Sequence, residues 1–214
     1  MQAVSVLPFP VADPIPFPAA RDASDSNSED VRLMFATAAG DHAAFRTLVE
    51  KHQNSVIGTI AKMTARPSDA EDLAQQVFLR VWKSSARYEA SAKFTTWLFT
   101  IVRNLVFNET RRVYRKYEVS MDAQSEDSNF ETVDAVTPLP DTMVMHDELR
   151  DLADKAIAAL PEQARMAVIL RRFEDASYED IAGVLGLTVP AVKSLLFRAR
   201  NQLRENLKGY LAND

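Results

Sequence analysis

The 214-residue chain is 47% hydrophobic, carries a formal net charge of −5, and contains only 5 glycines and no cysteine. The missing cysteine excludes disulfides, thiolate metal sites and thiol catalysis, and fits a reducing compartment. Apolar residues recur at helical spacing, so the chain is expected to be all-α, with two small helical domains and separate cores.

The charge is segregated. Residues 1–40 carry −3, 41–117 carry +6, 118–143 carry −7 and 144–214 carry −1. Two basic helical surfaces joined by an acidic tether point to a polyanion touched at two places. The acidic total argues against holding bulk nucleic acid by charge alone, so a partner is expected to help. His42, His52 and His146 show no ligand spacing, and neither a metal nor a cofactor is expected.

Residues 1–28 hold a repeated Pro-Phe-Pro (8–10 and 16–18) followed by Ser, Asp and Asn. This composition predicts a disordered extension, and its prolines break any signal peptide or membrane span. The chain is therefore expected to stay in the cytoplasm without membrane contact of its own.

The first domain is placed at 29–117. Phe45, Leu48, Val49, His52, Val56 and Ile60 form the stripe of one helix, which Pro67 ends. Ser68 and Glu71 have capping-box spacing for the next helix, whose buried stripe is Leu73, Val77 and Val81. Its start leaves Asp69, Asp72, Gln75 and Gln76 without an obvious use inside the chain. They either complement the helix dipole or, with Phe78, form a docking surface for another protein.

In the following helix Phe94, Trp97, Leu98, Ile101, Val102 and Leu105 share a core face. The opposite face carries Thr96, Phe99, Thr100, Arg103, Asn104, Phe107 and Arg111. Aromatics among cations suit unstacked bases, which need a flat surface for stacking and charge for the backbone. The alternative is that Phe99 and Phe107 pack against another helix.

Residues 118–142 are acidic, aperiodic and contain Pro138 and Pro140, which predicts a flexible linker. The last domain, 143–214, opens with a helix bearing Leu149, Leu152, Ala153, Ala156, Ile157 and Leu160, then one opened by Pro161. In "SYEDIAGVLGLTVPAVKSLLFRARNQLR", Ser177 and Asp180 cap a short helix that Gly186 ends through positive φ. Thr188 caps the next helix, with Val192, Leu196, Ala199, Leu203 and Leu207 inward. Lys193, Ser194, Phe197, Arg198 and Asn201 remain outside, the layout of a helix-turn-helix whose second helix enters the major groove. No phosphate-binding glycine loop, catalytic carboxylate pair or nucleophile signature occurs, so no enzyme is expected.

The stretches "DAEDLAQQVFLRVW", "FTTWLFTIVRNLVFNETRR" and "LPEQARMAVILRRFEDASYEDIAGVLGLTVPAVKSLLFRAR", in that order, resemble the extracytoplasmic-function (ECF) sigma factors, which direct bacterial RNA polymerase to promoters. The resemblance spans Val31 to about Lys208 outside the linker and implies a sigma-two and a sigma-four domain. It implies that Asp69, Glu71, Asp72, Gln75, Gln76 and Phe78 dock on core RNA polymerase. The loop Tyr88 to Phe94, with Lys93, would capture the melted non-template strand at the minus-ten element together with Trp97, Phe99, Thr100, Arg103, Asn104, Arg111 and Arg112. Periodicity instead places Trp97 in the core. Thr188, Lys193, Ser194, Phe197, Arg198 and Arg200 would contact double-stranded promoter DNA at the minus-thirty-five element. Leu195 stands where the family usually has arginine, and Gln76 where it has an acidic residue. An anti-sigma factor is the further partner implied. The competing reading is a sigma-like decoy that sequesters such a factor without binding DNA.

Overall fold

The computed structural model describes residues 25–64, 67–121 and 152–211, and every regular element among them is helical. In chain order these are α1 (Asp25–Ala38), α2 (His42–Met63), α3 (Ala70–Ser84), α4 (Phe94–Met121), α5 (152–158), α6 (Glu162–Phe173), α7 (Tyr178–Leu185) and α8 (Val189–Leu211). Single 3-10 turns occupy Pro67–Asp69 and Ser85–Arg87.

Helix α2 begins where the Asp41 carboxylate accepts the backbone N–H groups of Ala43 and Ala44 at 2.8 and 3.1 Å, satisfying two donors of the first turn. Of the expected stripe, Leu48, His52, Val56 and Ile60 are buried and Phe45 and Val49 half-buried. The capping box expected from Ser68 and Glu71 does not form. The 3-10 turn runs into α3 with Asp69 already helical at φ −87°, ψ −2°, whereas a capping residue needs extended backbone for its side chain to reach back. Ser68 Oγ instead donates to Asp69 Oδ1 at 3.1 Å.

Two boundaries differ from expectation. Helix α1 starts at Asp25, inside the stretch expected to be disordered, and α4 continues to Met121, past the expected linker start at 118. Residues 1–24 and the linker from 122 lie outside the described residues.

The helix-turn-helix is built as the sequence implies. Ser177 Oγ accepts the Asp180 N–H at 3.0 Å while the Asp180 carboxylate accepts the Ser177 N–H at 3.2 Å, closing a reciprocal cap. Gly186 ends α7 at φ +67°, and α7 and α8 meet at 97°. Gly186→Ala should therefore lower the free energy of unfolding by roughly 1–2 kcal/mol, since a Cβ there is strained by the left-handed backbone. The space alone would admit it, the nearest atom being Arg103 Nη1 at 3.8 Å. Urea unfolding followed by circular dichroism measures the loss.

Separate cores were expected, yet one buried cluster runs from Met34 and Leu98 through Ile181 and Val184 to Leu196. The reason lies in α7. Its Ile181, Ala182, Val184 and Leu185 are all buried, a stripe wide enough to serve α6 and α8 on one side and α4 on the other.

Candidate nucleic-acid interface

The residues singled out in the sequence fall on three faces. On α8, Val192, Leu196 and Ala199 are buried, which fixes the helix rotation and leaves Lys193, Ser194, Phe197, Arg198 and Arg200 exposed. Phe197 is 64% exposed, a large apolar side chain held in solvent beside cations. Lys193 Nζ sits 5.6 Å from the centroid of the Tyr178 ring. Thr188 Oγ1 accepts the Ala191 N–H at 3.4 Å, so it serves as a cap and is also exposed at the turn. Leu195, in the usual arginine's place, is half-buried and packs against the core, exchanging a charge for apolar contact.

Asp69, at the end of the 3-10 turn before α3, and Glu71, Asp72, Gln75 and Gln76 on α3 are exposed. Phe78 is corrected: at 8% exposure it belongs to the core, one step round the helix from the polar face, and its neighbour Leu79 is the exposed apolar residue, at 57%. The i, i+4 continuation of Leu73 and Ala74 through Val77 and Phe78 turns the Phe78 ring inward.

The α4 face departs most from expectation. Tyr88, Phe94, Phe99 and Thr100 are buried, Lys93, Trp97, Arg103 and Asn104 half-buried, and only Arg111 and Arg112 exposed. Tyr88, Phe94 and Trp97 interlock, with ring centroids 5.0 Å apart for Tyr88–Trp97 and 5.8 Å for Phe94–Trp97. Burial, reinforced by the Asp30 charge, pushes the Tyr88 hydroxyl up to about 12. Phe94 and Tyr88 thus shape the loop from inside. Phe99 is buried in the cluster to which α7 contributes Ile181, Val184 and Leu185, and Phe107 is half-buried against that cluster, so the second of the two readings of this face holds in this conformation. Asn104 Oδ1 accepts two bonds from the Arg103 guanidinium, at 3.1 and 2.5 Å, which orients its amide. Desolvation by burial lowers the Arg103 pKa. Arg112 pairs with Glu109 at 2.8 Å.

Sequence reasoning missed the role of α1. The Asn27 side-chain oxygen accepts the Phe94 N–H at 2.8 Å and so caps α4 from 67 positions away. Asp30 is buried against Lys51 Nζ (2.7 Å) and His52 Nε2 (3.1 Å). Burial opposes its charge, but the hydrogen bonds and charges of His52 and Lys51 outweigh this and hold the carboxyl below its ordinary range. A depressed carboxylate adds stability above its unfolded pKa that is lost as pH falls through the folded value. The wild type should therefore exceed Asp30→Asn by roughly 1–3 kcal/mol at pH 7 and lose that advantage progressively as pH falls below the ordinary carboxylate range, checked by urea unfolding over a pH series. No spacing signal links Asn27 to Phe94 or Asp30 to His52, because each pair meets only through tertiary packing.

The chain is similar to known proteins over most of its length. Residues 48–116 match the sigma-70 region 2 family and residues 150–203 the sigma-70 region 4 family. The chain is 32% identical to the RNA polymerase sigma-H factor of Pseudomonas aeruginosa over 87% of its length and 97% of the relative's. It is 32% identical to the ECF RNA polymerase sigma-E factor of Escherichia coli K12 over 77% of its length and 86% of the relative's. Among solved structures, the sigma factor RpoE in complex with the anti-sigma factor NepR from Bartonella quintana superposes with a TM-score of 0.60 at 27% identity, covering 77% of this chain and 96% of that one. CnrH in complex with the cytosolic domain of CnrY gives 0.63 at 24% identity, covering 85% and 98%, a likeness of fold. With both regions matched in order, and full-length relatives covered nearly end to end, this chain belongs to the ECF class of the sigma-70 family of RNA polymerase sigma factors.

Proposed function

We propose that this sigma factor binds core RNA polymerase through the polar face of α3, reads an upstream promoter element with α8, and captures unpaired non-template bases on the face of α4 bearing Phe99, Arg103 and Asn104. The observation that carries the reading is α8. A capped turn and a buried stripe hold one face of Lys193, Ser194, Phe197 and Arg198 outward at the end nearest the turn, where a recognition helix meets base edges. Base capture is stacking and edge recognition; unpairing costs a few kcal/mol, which stacking on aromatic side chains offsets. No catalysis by the chain itself is needed. Its place of work is the cytoplasm, and among the described residues no single helix is long and apolar enough to cross a membrane. An anti-sigma factor is the expected regulator, since the Bartonella quintana relative was solved with one.

Run-off transcription with purified core enzyme across a genomic fragment library tests the proposal. Discrete promoter-specific transcripts that depend on this chain are expected. Core enzyme that gives none would leave the decoy reading. Within that assay, Asp72→Lys should weaken binding to core polymerase about tenfold (~1.4 kcal/mol), because reversing one charge of a complementary interface brings like charges together. Asp72 is exposed, so its helicity should be unchanged. A pull-down with wild-type affinity would remove α3 as the docking face.

A further inference from the structure

Four large apolar side chains are exposed among the described residues, and three already have a place. Leu79 lies on the α3 face assigned to polymerase, Phe197 on the outer face of α8, and the Phe173 ring carries the Lys62 ammonium 4.5 Å from its centroid. Phe35, 50% exposed near the end of α1, has none. Its ring meets that of Tyr88 edge to face, with centroids 5.7 Å apart and planes at 63°. Phe35 therefore stands at the start of the loop from Tyr88 to Phe94.

The aromatics of the loop and of α4 offer a base little to stack on, because Tyr88, Phe94 and Phe99 are buried and Trp97 is half-buried against Tyr88. An unpaired strand needs an open ring face for its bases and cations along its backbone. Phe35 supplies the first. Arg32, three residues back and so one turn away on the exposed side of α1, and Arg87, in the 3-10 turn packed against α1, supply the second, and both are exposed. The carboxylates that precede Arg32 do not cancel it, since Glu29 and Asp30 each pair with Lys51 at 2.7 Å. One exposed acid, Glu89, remains in the loop. A single exposed phenylalanine is ordinary on a protein surface, but here the open ring, two cations and the loop entrance coincide.

We propose that Phe35 is a stacking platform for an unpaired base of the non-template strand, next to the bases held by the loop and α4, with Arg32 and Arg87 on the flanking phosphates. The proposal rests on the sigma-factor reading for what brings the opened strand there. Stacking is tolerant of base identity, because every base has a π face. Phe35 thus adds grip on the strand without adding sequence preference, in contrast to the arginine expected at a base edge on α8. Its role on α1 also differs from those of Asn27 and Asp30, which act inside the fold.

The test uses the full-length chain in holoenzyme, on a promoter selected with the wild type and carrying a pre-opened minus-ten region. Phe35→Ala should weaken binding about tenfold, whichever base adjoins those in the loop, and Phe35→Trp should restore it. A duplex with the minus-thirty-five element alone should bind all three forms equally. With p-azidophenylalanine in place of Phe35, illumination should join position 35 to the non-template strand. A cross-link to a polymerase subunit alone would overturn the platform and make this surface a protein contact. Wild-type affinity of Phe35→Ala for the opened template, or a loss that Phe35→Trp does not restore, would overturn it too. A wild-type chain that directs no promoter-specific transcript sinks the sigma-factor reading instead, and the platform is then decided on the free chain. Fluorescent oligothymidylate should show salt-sensitive anisotropy that Phe35→Ala reduces and Phe35→Trp retains, and equal anisotropy with the wild type and Phe35→Ala refutes the platform.

Discussion

Phe94→Ala should lower the free energy of unfolding by about 3–5 kcal/mol, the range for removing a fully buried phenylalanine and leaving a cavity. Phe94 is 1% exposed at the first position of α4, with the His52, Trp97 and Tyr88 rings at 5.2, 5.8 and 6.2 Å. A loss of that size is a large part of the stability of an ordinary domain. Urea unfolding monitored by circular dichroism measures it, and a loss below 1 kcal/mol would mean that the site collapses or that the ring is not packed. The result also separates two roles for the Tyr88 to Phe94 loop. A residue that only touched DNA would change promoter opening at constant stability, whereas Phe94 should change both through the fold.

Arg198→Ala should cost about 1–3 kcal/mol in promoter binding by the polymerase holoenzyme and relax sequence preference at one position of the upstream element, as expected when a guanidinium to a base edge is removed. Lys193→Ala, on the same exposed face, should instead weaken all upstream sequences alike and flatten the salt dependence by roughly one unit of slope. The contrast is geometric. Ser194 and Arg198 are four residues apart and so share a face one turn apart, in the half of α8 nearest the turn. Leu195 packs inward, so no arginine there supplements the phosphate contacts. Gel shifts with holoenzyme on promoter variants at two salt concentrations separate the two effects. Unchanged affinity and base preference in Arg198→Ala would remove α8 as the reader.

These expectations draw on what was legible in the sequence. The caps at Ser177 and Asp180, the positive φ of Gly186 and the inward stripe of α8 are local features, each set by residues within about two turns, and periodicity places them. The α4 face was legible only in part. Its residues were grouped correctly onto one side, but the spacing within one helix does not say whether another helix lies on that side. Phe99 is buried in a cluster that α7 completes from a distant part of the chain, with Lys93 and Asp180 meeting across 87 positions. Phe78 shows the same limit at smaller scale. It stands two residues after the exposed Gln76, and two steps of about 100° carry it, like its neighbour Val77, round to the buried side. The Ser68 box failed for a local reason, the 3-10 turn that carries helical backbone into Asp69.

The Asn27 cap on α4 has a practical consequence for anyone dissecting this protein. The match to region 2 begins at Leu48, and a fragment cut there would leave out α1 altogether. The first turn of α4 would then start with an uncapped Phe94 amide, and His52 would sit in its apolar surroundings without its carboxylate. The half of the molecule assigned to hold single-stranded DNA would thus fray at the end where its aromatic loop is attached. Fragments that begin ahead of Asp25 should hold that loop, whereas those trimmed to the matched segment should bind single strands weakly for a reason unrelated to any DNA-contacting side chain.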